Sequence, residues 1–398
     1  MKTLVTLTLL TLTFISFAKN KTWHCLKEDG SVAFTLEAKY VHKFSDGLAD
    51  VKISSIENNA WVYNIGFVDK TGKMVIQPQY EKVKGKGFVN GRAWVKKKDS
   101  KYWTLIDKQG NEIPTANYDK VGYIHEINGD LLCVYQGDRL GFINRDGKEI
   151  IPCKYIGGTT FHEGLVCVTS GDGEQGYGFM DKQGNMVIPM QFKQAGTSSF
   201  MSNGMCRAGV NGRTVLIDKT GKTVFSTKLG NIQGISNGWI RVFTNNDRSG
   251  WGYINFDEEW MIKPIYNDLK EFDDKGCALA QKGNLWGIID TNNNVKIPFK
   301  YETLYYEPEE DGFILGAYPT DEPQSMLNTP KDYFTADFEP ITLPEGIVYV
   351  YPADGANLMG FQDENKKNGF VNRSFKVVIP AKYSRVLAFT EGRAWVRE

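Results

Sequence analysis

The chain has 398 residues and carries 47 basic and 47 acidic side chains. This balance lacks the basic excess that is typical of proteins that bind nucleic acid or an anionic membrane surface. Aromatic residues make up 13% of the chain and glycine occupies 41 positions, a composition that favours short, half-buried strands joined by tight turns.

The first 18 residues have the layout of a secretory signal peptide. Lys2 gives a positive start, an apolar run covers residues 4–17, and Ser16 and Ala18 are the small residues at the −3 and −1 positions of a cleavage site. The run is shorter than the roughly 20 residues that a membrane-spanning helix needs. We therefore predict cleavage after Ala18. The mature chain is expected to be exported to the periplasm, the cell surface or the medium, without membrane insertion.

From residue 19 onward the chain repeats one pattern. Gly141, Gly178, Val215 and Gly252 begin equivalent strands and follow one another at intervals of 37 residues. Each unit opens with an alternating strand that ends at Asp or Asn, turns through Gly into a second strand that ends at Pro, and closes with Phe-x-[Asp/Glu]-Gly and a third strand. Nine units are legible, and the 82-residue step to the last start at Gly369 has room for one more.

This periodicity predicts an all-β fold built from about ten three-stranded antiparallel units. We prefer a curved or superhelical solenoid, because ten units exceed the usual four to eight blades of a propeller. A closed, propeller-like ring is the alternative, since the chain opens on a first strand and ends on a third. The predicted layout is a signal peptide at 1–18, repeats at 19–304, a degenerate repeat or Pro-rich insertion at 305–352, and a terminal repeat at 353–398.

The repeats resemble the WG (KWG) repeat of bacterial proteins. The resemblance lies in WGYI at 251–254, WGIID at 286–290 and GRAWV at 392–396, and it covers nearly all of the mature chain. The Trp position holds other residues in several units, such as Ile65 and Leu140. The resemblance implies an exported or surface β-repeat protein that binds a partner and is not tied to one reaction. Where Trp is present, we predict that it packs between neighbouring units: Trp23, Trp103, Trp251 and Trp286.

Residues that could carry chemistry recur in register, which indicates structural roles. The Asp that ends the first strand occupies one turn position in many units, whereas a catalytic pair need exist only once, so we predict that it caps the turn. The aligned Cys133 and Cys167 are expected to lie three strands apart, roughly 14 Å, too far for a disulfide. The four His do not converge as metal ligands do. We therefore predict no catalytic residue, no cofactor and no metal site.

The segment 305–352 departs from the pattern. It contains seven of the 14 prolines, an acidic run at 307–311, and the aromatic residues Tyr305, Tyr306, Tyr333 and Phe334. A decayed repeat is the preferred interpretation. An insertion on the binding face is the other, because insertions in repeat arrays often emerge there. If a partner binds locally, these four aromatic side chains are the predicted contacts.

Three functions remain open. We prefer a non-enzymatic binding scaffold for a protein or cell-surface partner. A carbohydrate or cell-wall binding protein is the second hypothesis, and it would expose the aromatic columns. An enzyme is the third, and it would show one polar pocket that breaks the repeat symmetry and contains perturbed ionisable groups.

Overall fold

The computed structural model describes residues 20–57, 60–124, 131–158, 160–170, 176–195, 204–244, 250–306, 313–317, 331–351 and 356–398. Every regular element in these ranges is a β-strand, and within them no helix is long and apolar enough to cross a membrane. The predicted signal peptide, the acidic run at 307–311 and most of the prolines of 305–352 lie outside the described residues.

The strands in chain order are β1 (Lys21–Leu26), β2 (Val32–Ala38), β3 (Tyr40–Val41), β4 (Leu48–Glu57), β5 (Ala60–Asp69), β6 (Met74–Val83), β7 (Ala93–Lys97), β8 (Trp103–Ile106), β9 (Glu112–Tyr118), β10 (Lys120–Val121), β11 (Leu131–Gln136), β12 (Arg139–Asn144), β13 (Glu149–Gly157), β14 (Leu165–Thr169), β15 (Tyr177–Asp181), β16 (Met186–Phe192), β17 (Gln194–Ala195), β18 (Met205–Val210), β19 (Arg213–Asp218), β20 (Thr223–Ser226), β21 (Asn231–Ser236), β22 (Trp239–Phe243), β23 (Trp251–Ile254), β24 (Trp260–Tyr266), β25 (Asp268–Leu269), β26 (Cys277–Lys282), β27 (Leu285–Asp290), β28 (Val295–Tyr301), β29 (Thr303–Tyr306), β30 (Phe313–Ala317), β31 (Lys331–Thr335), β32 (Pro340–Ile341), β33 (Ile347–Val350), β34 (Leu358–Asp363), β35 (Asn368–Asn372), β36 (Val377–Tyr383), β37 (Arg385–Val386) and β38 (Ala394–Arg397).

Successive strands pair antiparallel in groups of four, such as β17-β18-β19-β20 and β25-β26-β27-β28. Two seven-stranded sheets each contain two groups that share one long strand, β6 or β13. The repeat unit therefore has four strands, and the predicted three-stranded unit is wrong. The chain stays extended beyond the buried aromatic that follows Pro, and this extension pairs with the next group as a short first strand.

The two ends of the chain meet in one sheet. His24, Cys25 and Leu26 of β1 pair with Val396, Trp395 and Ala394 of β38. The sheet β2-β1-β38-β37, called the closing sheet below, thus combines strands from both ends of the described chain. An open solenoid would keep its first and last units apart, so this pairing disagrees with the preferred solenoid and agrees with the ring.

The core is distributed over the joints between successive groups. The cluster between β7–β9 and β10–β13 is typical, with Trp94, Leu105 and Tyr118 on one side and Leu132 and Ile143 on the other. The closing sheet has such a joint on each side. It meets β33–β36 through Leu26, Val396, Phe370 and Tyr383, and it meets β3–β6 through Trp23, Trp395, Phe44 and Val51.

The predicted role of the Asp column is confirmed. The carboxylate of Asp107 accepts hydrogen bonds from the backbone amides of Gln109 and Asn111, at 2.9 and 2.8 Å, and from Asn111 Nδ2 at 2.9 Å. Equivalent amide bonds are made by Asp69, Asn144, Asp181, Asp218, Asn255, Asp290 and Asn372. These side chains hold the tight turn between the third and fourth strands of a group.

The prediction that the Trp column packs between neighbouring groups is confirmed for Trp23 and in part for Trp103 and Trp251, which pack against core clusters at the joints. Trp23 is buried, but Trp103, Trp251 and Trp286 remain partly exposed. A cation of the same sheet covers each of these three rings: Lys96, Arg241 and Lys270, at 5.8, 5.1 and 5.4 Å from the ring centroids. The second strand of two groups also supplies fully buried indoles to the joints, at Trp94 and Trp395.

Candidate functional site

A cavity of about 970 Å³ lies beside the closing sheet. Its wall comes from four equivalent loops, each of which connects the first strand of a group to the second. These loops contribute Ala356 and Asn357, residues 389–392, residues 42–46, and Gly85 with Lys86, and Glu28 is added from the β1–β2 turn. The cavity therefore lies where four successive groups meet: β33–β36, the closing sheet, β3–β6 and β6–β9.

The Phe-x-[Asp/Glu]-Gly motif shapes two of these loops. Asp46 and Gly47 both have positive φ, 54° and 81°, which is the signature of a two-residue type I′ turn. Ser45 and Leu48 bond each other's backbone across the turn, at 2.9 and 3.2 Å. The turn sends Phe44 into the core and leaves the carboxylate at the tip, and Glu391-Gly392 repeats it with φ of 51° and 75°.

The acids of this motif tie each group to the next. Asp46 accepts a hydrogen bond from Gly91 N at 2.5 Å and pairs with Lys108 Nζ at 3.1 Å. The same two contacts join Glu391 to Gly47 and Lys70, and Glu163 to Gly204 and Lys219. Because the contacts recur away from the cavity, they are structural, and the two acids on the cavity wall already have partners.

His42 lines the cavity and forms a hydrogen-bonded pair with Asp50 behind it. The Asp50 carboxylate is 2% exposed, and its Oδ2 lies 2.6 Å from His42 Nδ1. The hydrogen bond to Asp50 raises the pKa of His42, although partial burial of the ring opposes the shift. The His42 side chain is 55% exposed. Since Asp50 occupies Nδ1, Nε2 is the nitrogen that remains for a ligand.

Two buried polar atoms of this part of the fold have no hydrogen-bond partner among the described residues: Oδ1 of Asp50, the partner of His42, and Oγ1 of Thr390. Thr390 lies on the cavity wall. Native interiors rarely leave such groups unsatisfied, so each deserves an explanation, and a bound ligand or ordered water is one.

The His42–Asp50 pair breaks the repeat. His42 N donates to Asp50 O, as Lys84 N does to Trp94 O and Leu387 N to Trp395 O. Asp50 thus stands in a mostly apolar column, which has the buried Trp94, Cys133, Cys167 and Trp395 and the partly buried Leu279 in other groups. Sequence reasoning missed this pair. The available signal was a single carboxylate in a mostly apolar column, and the charged Arg207 and Arg241 at the equivalent position of two other groups weaken that signal.

The four aromatic residues predicted as contacts do not share one surface. They lie in the sheet β29-β30-β31-β32, which gives residues 303–341 the strand order of the other groups. Tyr305 and Tyr333 pack toward β33–β36, whereas Tyr306 and Phe334 pack toward β25–β28. Tyr333 and Phe334 are 4% and 8% exposed. The Tyr306 hydroxyl donates to Asp273 at 2.6 Å. In this conformation these side chains are part of joints.

Metal-ligand groups were also sought. Within the described ranges no three or more His, Cys, Asp or Glu side chains come together as a metal site would require. The six cysteines are free thiols.

Comparison with known proteins gives a family and a few distant likenesses. The model of a family described as WG containing repeat matches residues 65–102, 141–172, 177–213, 216–246, 251–286, 286–315 and 369–398. No curated protein matches the chain. Similar solved structures include a eukaryotic initiation factor (12% identity, TM-score 0.47, 86% of this chain and 97% of that one). Others are Kluyveromyces lactis Hsv2 (8%, 0.35, 62% and 94%) and apo AztD from Citrobacter koseri (12%, 0.32, 90% and 94%). At these TM-scores the likenesses carry no argument.

Proposed function

Because the chain belongs to the WG-containing repeat family, whose model matches more than half of it, we propose that it is an exported, non-enzymatic binding scaffold for a protein partner. The observation that carries the proposal is the cavity beside the closing sheet, which combines about 970 Å³ of space with exposed polar side chains. Cavities of roughly 300–1,000 Å³ are the usual size of ligand pockets.

The binding proposal is tested by filling the cavity. Lys86 and Asn357 are exposed residues of its wall, and their joint replacement by Trp should block it. The matched control carries Trp at Lys222 and Lys228, exposed positions in another group. Each form is used to capture partners from the exported proteins of the native cell. We expect the wild type and the control to retain a common partner that the cavity variant loses.

Two outcomes of this capture count against the proposal. If the cavity variant recovers every partner as well as the wild type does, the partners bind outside the cavity. The absence of any specific partner in all three samples would contradict the scaffold function itself. Circular dichroism of the variants confirms that each is folded before the comparison is made.

We also propose that ten groups close into a ring. Pairing of β1 with β38 and packing of the closing sheet on both neighbours support this arrangement. In a ring, a linker of about three residues from Glu398 to Lys21 would form an ordinary hairpin. A circular permutant with this linker and new ends between Gly283 and Asn284 should fold. Its control is the unpermuted chain with the same three residues inserted at that site.

A permutant that is unfolded while its control is folded would refute the ring, because an open array cannot bring its ends within reach of three residues. Small-angle scattering on the unpermuted chain gives an independent measure, since an extended array has a larger radius of gyration than a ring of equal length.

The two other hypotheses stand differently. A carbohydrate binder would expose its aromatic columns. The Tyr column is largely buried, for example at Tyr80, Tyr118 and Tyr301. The Trp column is partly exposed, but a Lys or Arg side chain covers each of its partly exposed rings. The His42–Asp50 pair supports the enzyme hypothesis, because it is a polar pair on one cavity that breaks the repeat symmetry and contains a His with a shifted pKa. An enzyme is therefore the second candidate. The Ser45 hydroxyl on the same wall donates to Phe88 O at 2.7 Å and is therefore not paired with His42. Turnover of fluorogenic ester, peptide or glycoside substrates that disappears in His42→Gln would favour an enzyme.

A further inference from the structure

The hairpin formed by β4 and β5 extends beyond its sheet. Both strands are ten residues long, whereas the equivalent strands β26 and β27 have six residues each. The neighbouring strands pair only with the base of the hairpin, because β3 pairs with β4 as far as Lys52 and β6 pairs with β5 as far as Ile65. Residues 53–57 and 60–64 therefore form a protruding two-stranded tip.

The pairing shows which backbone groups of the tip face outward. The Asn20 side chain bonds both backbone groups of Ser54 on β4: its Nδ2 donates to Ser54 O at 3.1 Å, and its Oδ1 accepts from Ser54 N at 3.0 Å. Ser54 lies opposite Tyr63, and opposed residues of an antiparallel pair bond each other through both groups or through neither. The backbone groups of Tyr63 therefore point away from β4, and so do those of Trp61, two residues earlier.

The two edges of the tip differ. Asn20 covers the β4 edge at Ser54 as a neighbouring strand would. Within the described residues no strand continues the β5–β6 pairing past Ile65, so the outward N–H and C=O groups of Trp61 and Tyr63 have no partner there. Residues 60–64 also contain no charged side chain and no proline, the devices by which natural edge strands prevent association. The β5 edge is therefore open.

Exposed apolar side chains lie beside this edge. Ile56 and Trp61 are 64% and 46% exposed. They lie opposite each other across the hairpin, on the same face as Tyr63. The Lys39 amine covers the Tyr63 ring at 3.9 Å from its centroid. An open strand edge beside exposed apolar side chains favours association with another strand.

We propose that this edge pairs antiparallel with the same edge of a second copy of the chain, about a two-fold axis at Val62. In this register Trp61 lies opposite Tyr63 of the second copy, and all four outward groups of each edge form hydrogen bonds. An axis at Tyr63 would instead place Trp61 opposite Ile65, whose groups face β6. The axis at Val62 therefore satisfies the whole edge, and it forms two Trp–Tyr cross-strand pairs on one face.

The dimer is expected to be weak and to leave the cavity free. Only the tips meet, and interfaces below about 1,200 Å² are typical of transient complexes, so we expect a dissociation constant of roughly 10–100 µM. The cavity wall ends at Asp46, before the start of β4, and the tip is at the other end of that strand, about 30 Å away. A dimer therefore presents two open cavities, although the inference does not depend on what they bind.

Sedimentation equilibrium of the mature full chain at about 1–200 µM measures the dimer. Val62→Lys and Val62→Glu each place like charges opposite one another at the axis, so each variant alone should associate about tenfold more weakly. An equimolar mixture of the two opposes unlike charges and should recover the wild-type affinity to within about threefold. Val295→Lys is the matched control, since Val295 is an exposed valine of β28 in another group, and it should behave as the wild type.

Trp61→Ser supplies a second readout that adds no charge. It removes both Trp–Tyr pairs and should also weaken the dimer about tenfold. Because the contact consists of backbone hydrogen bonds and aromatic side chains, 0.5 M NaCl should not weaken the wild-type dimer. Circular dichroism shows whether each variant is folded before its association is compared.

The inference is overturned if the wild type is monomeric at about 200 µM, or if Val62→Lys and Trp61→Ser both dimerise as the wild type does. A mixture of the two charge variants that stays monomeric would reject the axis at Val62 and the proposal with it. A monomeric wild type that binds another protein through Trp61 would assign the edge to a strand of that protein instead. The cavity variant with Trp at Lys86 and Asn357 should dimerise normally, so failure of the cavity proposal and failure of this one are distinguishable.

Discussion

Replacing Trp94 by Ala should reveal which tryptophans hold the groups together. The Trp94 side chain is 0% exposed and packs between β7–β9 and β10–β13 against Leu105, Tyr118 and Leu132. Trp286 belongs to the column that gives the family its name, but its ring is partly exposed and lies under Lys270 at 5.4 Å. The two substitutions remove the same side chain from different environments.

The expected losses follow from burial. A buried Trp covers about 150–250 Å², which is about 4–6 kcal/mol at about 25 cal/mol per Å². Trp94 Nε1 is buried without a partner in the described residues, and its removal returns part of that amount. We expect Trp94→Ala to cost about 3–4 kcal/mol. Trp286→Ala leaves space that water can enter, so the cavity contribution is absent and about 1–2 kcal/mol is expected.

Urea unfolding followed by circular dichroism measures both losses, with coincidence of two wavelengths as the check for a two-state transition. Tyr102→Ala, at an exposed position, controls for removal of an aromatic surface and should change stability by less than about 0.5 kcal/mol. Equal losses at Trp94 and Trp286, or a larger loss at Trp286, would refute the assignment of the joints to the second-strand indoles.

Four further outcomes are expected. Asp107→Ala should cost about 1–2 kcal/mol in urea unfolding because three hydrogen bonds disappear. Burial raises the pKa of Asp107, but the hydrogen bonds from Asn111 and Gln109 outweigh burial and lower the pKa. The stabilisation by Asp107 is therefore present above about pH 4 and is lost as the pH falls through the lowered pKa. A cost of Asp107→Ala that is unchanged at pH 2 would contradict this expectation. Glu258→Gly should raise the unfolding free energy by about 0.5–1 kcal/mol, because Glu258 has a φ of 64°, and an equal or lower value would show that the turn is unstrained. Thiol counting in denaturant should find six free cysteines, with a melting temperature that reductant leaves unchanged, whereas fewer than four free thiols would indicate disulfides. Amino-terminal sequencing of the protein purified from its native cells should begin at Lys19, and a start at Met1 would reject cleavage.

Much of the local structure could be predicted from the sequence, because local interactions decide it. Alternating strands, the Asp at the turn and the Pro that ends a strand follow from side-chain period, capping and a missing amide. The turn positions show both the success and the limit of prediction from local interactions. Gly110 has the positive φ that its place in the pattern requires, and Glu258 is forced into the same conformation by the strands on either side.

Tertiary structure decided what depends on residues far apart in the chain. The pairing of Cys25 with Trp395 follows from the accumulated geometry of all the groups between them, which no single repeat encodes. The same is true of side-chain direction. Adjacent residues Tyr305 and Tyr306 enter opposite joints because successive side chains of a strand face opposite ways, and only the neighbouring sheets determine what lies on each side. His42 and Asp50 meet because β3 and β4 pair and place both beside the closing sheet, so a residue that appeared unremarkable in the sequence became half of the candidate site.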